Sequence, residues 1–234
     1  IFFLKIWYTR FNQLNESEDI KMDILETMKA RHSVRQYKNQ AIESSKREKI
    51  NALIKDVNAK SKLSIQVFYD EPKCFDSFMA HYGKFENVKN YIAIVGNKND
   101  QEKAGYYGEK IVLKCQKLGL NTCWVAMTHG KSKAQIKRGQ KLLIIISLGY
   151  GETQGVPHKS KSIAELGQAD QKNEWFEKGM EAVSLAPTAV NQQKFYFELK
   201  NGIVTAKNLG GFYSRIDLGI VKYHFEVVTG HEVK

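Results

Sequence analysis

Three short stretches of this sequence gather side chains suited to holding an anion or a flat polar ring. The first is Arg31-His32-Ser33-Val34-Arg35-Gln36-Tyr37, which places two guanidiniums and a hydroxyl within five residues. Arginine presents a planar fork of donors that matches phosphates and carbonyls. A basic helix end that favours its own dipole has the same composition. The second stretch, Ser184 to Gln193, reads SLAPTAVNQQ. Pro187 ends a helix, and Thr188, Asn191 and Gln193 follow it in a loop before the run Phe195-Tyr196-Phe197. Amides offer a donor and an acceptor together, as the edge of a heterocyclic ring requires. Ordinary turns use the same residues. The third stretch is Leu148-Gly149-Tyr150-Gly151 with Pro157-His158-Lys159-Ser160-Lys161. Two lysines around a serine, on a loop leaving a buried strand, could neutralise a phosphate. Gly149, Gly151 and Gly155 also echo a dinucleotide-binding fingerprint, but Val156-Pro157 stands where that motif needs a helix to begin.

These stretches need elements to hold them. Ile24, Leu25 and Met28 predict a helix from Asp23 to Ala30, ending at the first stretch. Ser44 and Ser45 are candidate caps for a second helix, Lys46 to Lys60, whose apolar stripe is Ile50, Leu53, Ile54 and Val57. The longest helix is expected from Glu102 to Leu118, with Gly119 as its C-cap. Further helices are expected over Ala134 to Arg138, Glu174 to Ser184 and Arg215 to Val228. Strands are expected over Leu63 to Tyr69, Tyr91 to Val95, Thr122 to Met127 and Leu142 to Leu148. A hairpin, Lys194 to Lys200 and Gly202 to Ala206, turns at Asn201-Gly202. Helices and strands mix without a regular βαβ rhythm, which points to the α+β class.

The chain of 234 residues is 42% hydrophobic, enough for one domain with a substantial core. No run approaches the roughly 20 apolar residues that span a membrane. The net charge of +11 attracts anions in general. The basic residues are spread from Lys21 to Lys234 among Glu and Asp, and no aromatic RNA-binding motif is present, so no nucleic-acid partner is expected. Cys74, Cys115 and Cys123 form no C-x-x-C pair, which fits a reducing, cytoplasmic compartment, with Cys115 and Cys123 as small core residues. The six histidines are scattered, with neither H-E-x-x-H nor G-x-S-x-G in the sequence, which argues against a metal site and a serine hydrolase. His224 is expected as a satisfied core or interface residue. Ile1 to Lys21 reads as an extension ahead of a domain that starts at Met22.

Jointly, R-H-S-V-R-x-Y, A-P-T-A-x-N-x-Q before a strand, and L-G-Y-G followed by P-x-K-S-K resemble the FMN-dependent nitroreductase family. Gly105 to Trp124, ending L-G-L-N-T-C-W, is similar to that family's central helix and following strand. Asp217 to Glu226, D-L-G-I-V-x-x-H-F-E, is similar to a divergent branch of it. The resemblance covers most of the chain from Met22 onward. It implies a nitroreductase-like α+β fold over residues 22–234: a central, mostly antiparallel sheet surrounded by helices. It also implies bound FMN, NADH or NADPH as electron donor, a small acceptor such as a nitroaromatic or quinone, and a ping-pong mechanism. A homodimer is implied as well, to which a long helix such as Glu102 to Leu118 could contribute.

By the same resemblance, Arg31, His32 and Ser33 hold the FMN phosphate and ribityl chain, and Lys159 and Lys161 are the family's phosphate-binding pair. Arg35 approaches the pyrimidine edge of the flavin, where a fixed cation stabilises the reduced ring. Pro187, Thr188, Asn191 and Gln193 line the ring, with Tyr82 as a further neighbour. No protein group is expected to be catalytic, because the cofactor carries the chemistry. Two departures stand out. The A-P-T-A-x-N-x-Q segment lies near the C-terminus instead of after the first helices, which leaves open which subunit supplies it. Ala126-Met127 stands where many members carry an acidic residue and a glycine, which leaves the nicotinamide side open. The alternatives are a basic nucleic-acid- or anion-binding protein and a flavin-binding relative without reductase activity.

Overall fold

The computed structural model describes residues 24–234; the expected extension over 1–21 lies outside them. In chain order the first elements are α1 (24–30), α2 (Ser44–Ser61), β1 (Ser64–Phe68), α3 (Phe78–Tyr82), β2 (Asn90–Gly96), α4 (Gln101–Lys117), β3 (Asn121–Val125) and β4 (Lys141–Gly149). They are followed by α5 (Ile163–Leu166), β5 (Gly167–Ala169), α6 (Glu174–Ser184), β6 (Phe195–Lys200), β7 (Ile203–Asn208) and α7 (Ser214–Thr229).

The main sheet runs β1-β2-β4-β3 and is antiparallel throughout. Every residue of β2 is buried, and so is β4 from Leu143 onward. A strand covered on both faces needs apolar residues at consecutive positions, which explains YIAIV and LLIIISL. The two faces feed different cores. Ile92, Ile94, Ile144 and Ile146 join the main cluster with residues of α2, α4 and α7. Tyr91, Ala93, Cys123, Val125 and Ile145 join a second cluster with Val34, Tyr37, Phe75 and Phe85. The split follows from the period of two along a strand. The fold is thus α+β with a central antiparallel sheet between helices.

Helix α4 is the axis of the fold. It ends in a Schellman arrangement: Gly119 adopts φ +74°, its N–H donates to the Gln116 carbonyl at 2.9 Å, and Leu120 N–H donates to Cys115 at 3.0 Å. Its small residues meet α7. A Cβ on Gly219 would lie 1.9 Å from the Glu102 carbonyl oxygen, and one on Gly105 would lie 2.0 Å from that of Ile216. The two backbones approach so closely that only glycine fits at either position. The apolar face of α4 packs within its own chain, with Ala104, Ile111, Val112 and Cys115 in the main core.

The expected hairpin is β6-β7, paired antiparallel, and it belongs to a second sheet, β5-β6-β7, whose strand β5, parallel to β6, was not anticipated. The hairpin turns at Asn201 (φ 50°) and Gly202 (φ 74°), the positive-φ pair of a two-residue type I′ turn. Phe195 and Phe197 pack from β6 into the main core with Phe176, Met180 and Phe225.

Other expectations need correction. The helix expected over Ala134 to Arg138 is an irregular segment. Gln66 takes both backbone groups of Gln135, at 2.9 Å each, and the Tyr91 hydroxyl accepts from Lys133 N–H at 3.0 Å. Side chains thereby claim groups that a helix would need for itself. Helix α2 starts at Ser44 with Glu43 at its N-cap and no capping side chain, so the two serines lie inside the helix. The short elements α3, α5 and β5 were not expected. Among the described residues, no helix is long and apolar enough to cross a membrane.

Candidate functional site

The segment after α1 is extended and attaches to the edge of the main sheet. Ser33 bridges Thr122 of β3, and Val34 N–H donates to the Thr122 carbonyl at 3.0 Å. Val34 is buried in the second core, while Ser33 and Arg35 are exposed on the side facing a cleft. The cleft has two lobes. The larger, about 580 Å³, is lined by Ser33, Arg35, Tyr82, Trp124, Thr188 and Asp217, among others. The smaller, about 250 Å³, is lined by Arg31, His32, His158 and Asn191, with Ser33, Arg35, Pro187, Thr188 and Val190 shared between the two. The larger lobe falls within the range of small-molecule sites. Its apolar lining includes Met79, Met127, Ile144, Phe212 and Ile220.

A single buried carboxylate braces one wall of each lobe. Glu109 of α4 is fully buried and accepts from Trp124 Nε1 at 3.0 Å. His224 Nε2 lies 3.0 Å from its other oxygen, and Arg31 Nε lies 3.8 Å away. His224 Nδ1 meets the Ala182 carbonyl at 2.8 Å, and a carbonyl only accepts, so Nδ1 carries a proton. These partners hold the Glu109 carboxyl below its usual range against the opposing effect of burial. Burial pushes the Arg31 guanidinium down, with Glu109 opposing. The two shifts differ in sense because Glu109 has close partners on both oxygens, whereas Arg31 Nε is buried and donates to no acceptor. Arg31 stays cationic at any ordinary pH. His32 is pushed down by burial and then by the neighbouring Arg31.

The Pro187–Gln193 loop forms the wall common to both lobes, and it is strained. Val190, Asn191 and Gln193 adopt φ of 47°, 53° and 45°. For a β-branched residue such as Val190 this is an outlier, and each such residue costs roughly 1–2 kcal/mol. Side chains hold the loop. Gln193 Nε2 and Asn191 Nδ2 each donate to the Lys159 carbonyl at 2.9 Å. Lys161 N–H donates to Gln193 Oε1 at 2.8 Å, and Lys161 Nζ to the Gln193 carbonyl at 3.1 Å. Thr188 Oγ1 accepts from Gln193 N–H at 3.1 Å. On the other side, Asp217 of α7 accepts from Ala189 N–H at 2.9 Å and from Gln192 Nε2 at 2.7 Å.

Of the residues singled out in the sequence, the structure brings Arg31, His32, Ser33, Arg35, Pro187, Thr188 and Asn191 to the lobes, with Tyr82 in the wall of the larger one. Lys159, Lys161 and Gln193 line neither lobe; they tie two loops together. Trp124, Glu109 and Asp217 were missed as site residues. Asp217 and His224 both lie in the D-L-G-I-V-x-x-H-F-E motif, which the structure now explains. Asp217 holds the loop, Gly219 admits α4, His224 meets Glu109, and Glu226 accepts from the Tyr106 hydroxyl at 2.7 Å. Ala126 and Met127 both line the larger lobe. Among the described residues no cluster could hold a metal ion.

A family model described as "Putative TM nitroreductase" matches residues 23–229. The chain belongs to this nitroreductase family. The fold agrees with a "putative nitroreductase" of Thermotoga maritima, with a TM-score of 0.63 and 23% identity over 88% of this chain and 82% of that one. An FMN-dependent nitroreductase of Clostridium difficile aligns with a TM-score of 0.44 and 21% identity, covering 60% of this chain and 92% of that one. A Desulfovibrio desulfuricans "putative nitroreductase in complex with FMN" aligns with a TM-score of 0.48 and 15% identity, covering 61% of this chain and 93% of that one. No curated protein matches the chain. As a nitroreductase-family member it is an oxidoreductase by kinship.

Proposed function

We propose that this chain binds FMN in the two-lobed cleft and uses NADH or NADPH to reduce small acceptors such as nitroaromatics or quinones. The observation that carries this reading is the joining of an apolar lobe, large enough for a flat ring, to a smaller cationic lobe. The Arg31 guanidinium, whose Nε stands 3.8 Å from Glu109 without a hydrogen bond, lines the smaller lobe and fits an anionic group entering it. Arg31, His32 and Ser33 would hold the phosphate and ribityl chain. Pro187, Thr188 and Asn191 would bound the ring beside Arg35, with Tyr82 at the mouth. Lys159 and Lys161 would add positive potential from outside the lobes, and Gln193 would fix the loop.

Bound FMN would supply the redox chemistry, accepting reducing equivalents from the nicotinamide and passing them to the acceptor in a ping-pong order. The cleft walls would orient the ring, and Arg35 would stabilise the negative charge that reduction brings. Exposed Phe78, Tyr82, Met127, Val190 and Phe212 would meet a second copy in a homodimer, since the apolar face of α4 is already used within the chain. The three buried free thiols fit a reducing, cytoplasmic setting. We take the domain to start near position 22, with 1–21 an appendage.

The test is the visible spectrum of the purified protein after FMN loading and gel filtration. Retained flavin absorbance that bleaches with NADH or NADPH is the expected result; failure to retain FMN at micromolar concentration sinks the reading. Arg35→Ala is expected to weaken FMN by roughly tenfold or more, the worth of a charge-assisted hydrogen bond, and to lower the flavin potential. Spectroelectrochemistry and a binding titration check both; unchanged affinity and potential would remove Arg35 from its assigned role.

A further inference from the structure

Asp217 stands apart from the groups already assigned. It is 4% exposed, lines the larger lobe, and sits in the first turn of α7. Its two oxygens are divided between two donors of one loop: Ala189 N–H on Oδ1 and Gln192 Nε2 on Oδ2. Gln192 Nε2 also donates to the Phe212 carbonyl at 2.6 Å, so the amide cannot turn over without losing a bond. The loop so held carries three residues in the left-handed region, a conformation that persists only where the surroundings impose it. Val190, 82% exposed, lines both lobes.

We propose that Asp217 is the positioning residue of this cleft: its buried carboxylate latches the strained Pro187–Gln193 loop in the setting that gives the two lobes their common wall. The latch stands on the contacts of this chain alone; its consequence for flavin retention rests on the cofactor reading above.

The surroundings of the carboxylate give it a second property. Among the described residues Asp217 makes no ion pair. Arg35 and Lys84 line the same lobe, and Arg215 lies on the same helix, all three exposed. The Pro187–Gln193 loop carries no charged residue. On α4, packed along α7, Glu102 is paired with Lys222 at 2.7 Å. Burial therefore dominates and raises the Asp217 carboxyl to about 6, against the pull of Ala189 N–H and Gln192. The sign follows from linkage. A carboxyl raised above its unfolded value makes the folded chain less stable as pH rises from the unfolded value to about 6. The ionised latch thus holds the loop above about pH 6 at the expense of global stability, and protonation releases it.

The experiment follows the Ala189 amide by 1H–15N shift and hydrogen exchange in the flavin-free chain, from about pH 8 to about pH 5. The same buffers serve for FMN titration and thermal melting of wild type, Asp217→Asn and Gln192→Ala. In wild type the Ala189 amide should titrate with a midpoint near 6; in Asp217→Asn it should not. The Asn amide still accepts from Ala189 but sets its NH2 against Gln192 Nε2, a donor against a donor. FMN binding by Asp217→Asn should be roughly tenfold weaker at neutral pH, from the loss of a charge-assisted bond. The FMN phosphate itself titrates near 6, so the difference between the wild-type and Asp217→Asn curves is the measure, and that difference should vanish at about pH 5. Gln192→Ala, a change at a half-buried surface position, should give an intermediate loss. Melting of Asp217→Asn at neutral pH should be no lower than wild type, because the buried ionised carboxylate lowers global stability there. An Ala189 amide that ignores pH, or FMN affinity in Asp217→Asn within twofold of wild type, overturns the latch. A titrating Ala189 amide in a wild-type chain that binds no FMN supports the latch and removes the flavin reading instead.

Discussion

Glu109→Ala should destabilise the chain by about 3–5 kcal/mol, the range for breaking a buried ion pair by removing one partner. The Glu109 carboxylate is the common acceptor of Trp124 and His224 and the nearest anion to Arg31. Removing it leaves a buried guanidinium without a counter-charge, an indole N–H without an acceptor, and a cavity between α4 and α7. Glu109→Gln should cost less. Its amide oxygen can serve Trp124 while its NH2 donates to a neutral His224, so that only the counter-charge of Arg31 is lost. Urea unfolding at constant slope measures both. If the Ala variant fell within about 1 kcal/mol of wild type, the desolvation of the carboxylate would balance its bonds, and Glu109 would not be the brace described here. The acid limb follows from the same contacts. The folded carboxyl is held below its unfolded value of 4.5, so its contribution is complete above that pH and is lost as pH falls through the folded value. The Gln variant should therefore converge on wild type at strongly acidic pH.

Gly219→Ala should cost at least about 3 kcal/mol, at or beyond the upper end of ordinary overpacking. The added Cβ would meet the Glu102 carbonyl oxygen at 1.9 Å and the Tyr106 nitrogen at 2.7 Å. Both are backbone atoms, so no rotamer change relieves the clash, and α4 and α7 must part. Gly105→Ala should behave alike, since its Cβ would meet the Ile216 carbonyl oxygen at 2.0 Å. Parting these helices also carries Ile216, Asp217 and Ile220 away from the larger lobe, so FMN retention should fall with stability. Thermal melting and a flavin titration on the two variants check this. A Gly219→Ala protein that melts with wild type would mean that the helices already stand farther apart in solution.

Much of the frame was legible because its signals are local. Continuous apolar runs marked β2 and β4, helical spacing marked α2 and α4, and Asn201-Gly202 marked the hairpin. The errors fall where distant partners decide. The segment Ala134 to Arg138 has residues that accept a helix, but Gln66 takes the backbone groups of Gln135 and Tyr91 the N–H of the preceding Lys133, and neither is near it in sequence. Helix α3 is only five residues long, and Phe78, Met79 and Tyr82 are exposed, so it has no buried stripe to detect. The site was legible in the same measure. The arginine stretch and the Pro187 loop could be named from residue types. That Lys161 and Gln193 serve each other, and that Asp217 holds Ala189, depends on how separate loops meet in space. Glu109 looked like one more charge on a helix until its three partners were placed around it.

The cleft draws Ser33 and Arg35 from one end of the described chain and Ile216, Asp217 and Ile220 from the other. A wall built from such distant segments cannot close until α7 has docked on α4, and contacts of long sequence separation form slowly because the intervening chain must first be ordered. A molecule that fills the cleft therefore meets a nearly finished fold. It should leave the refolding rate almost unchanged and slow unfolding instead, so that its protection appears as a longer lifetime of the native state.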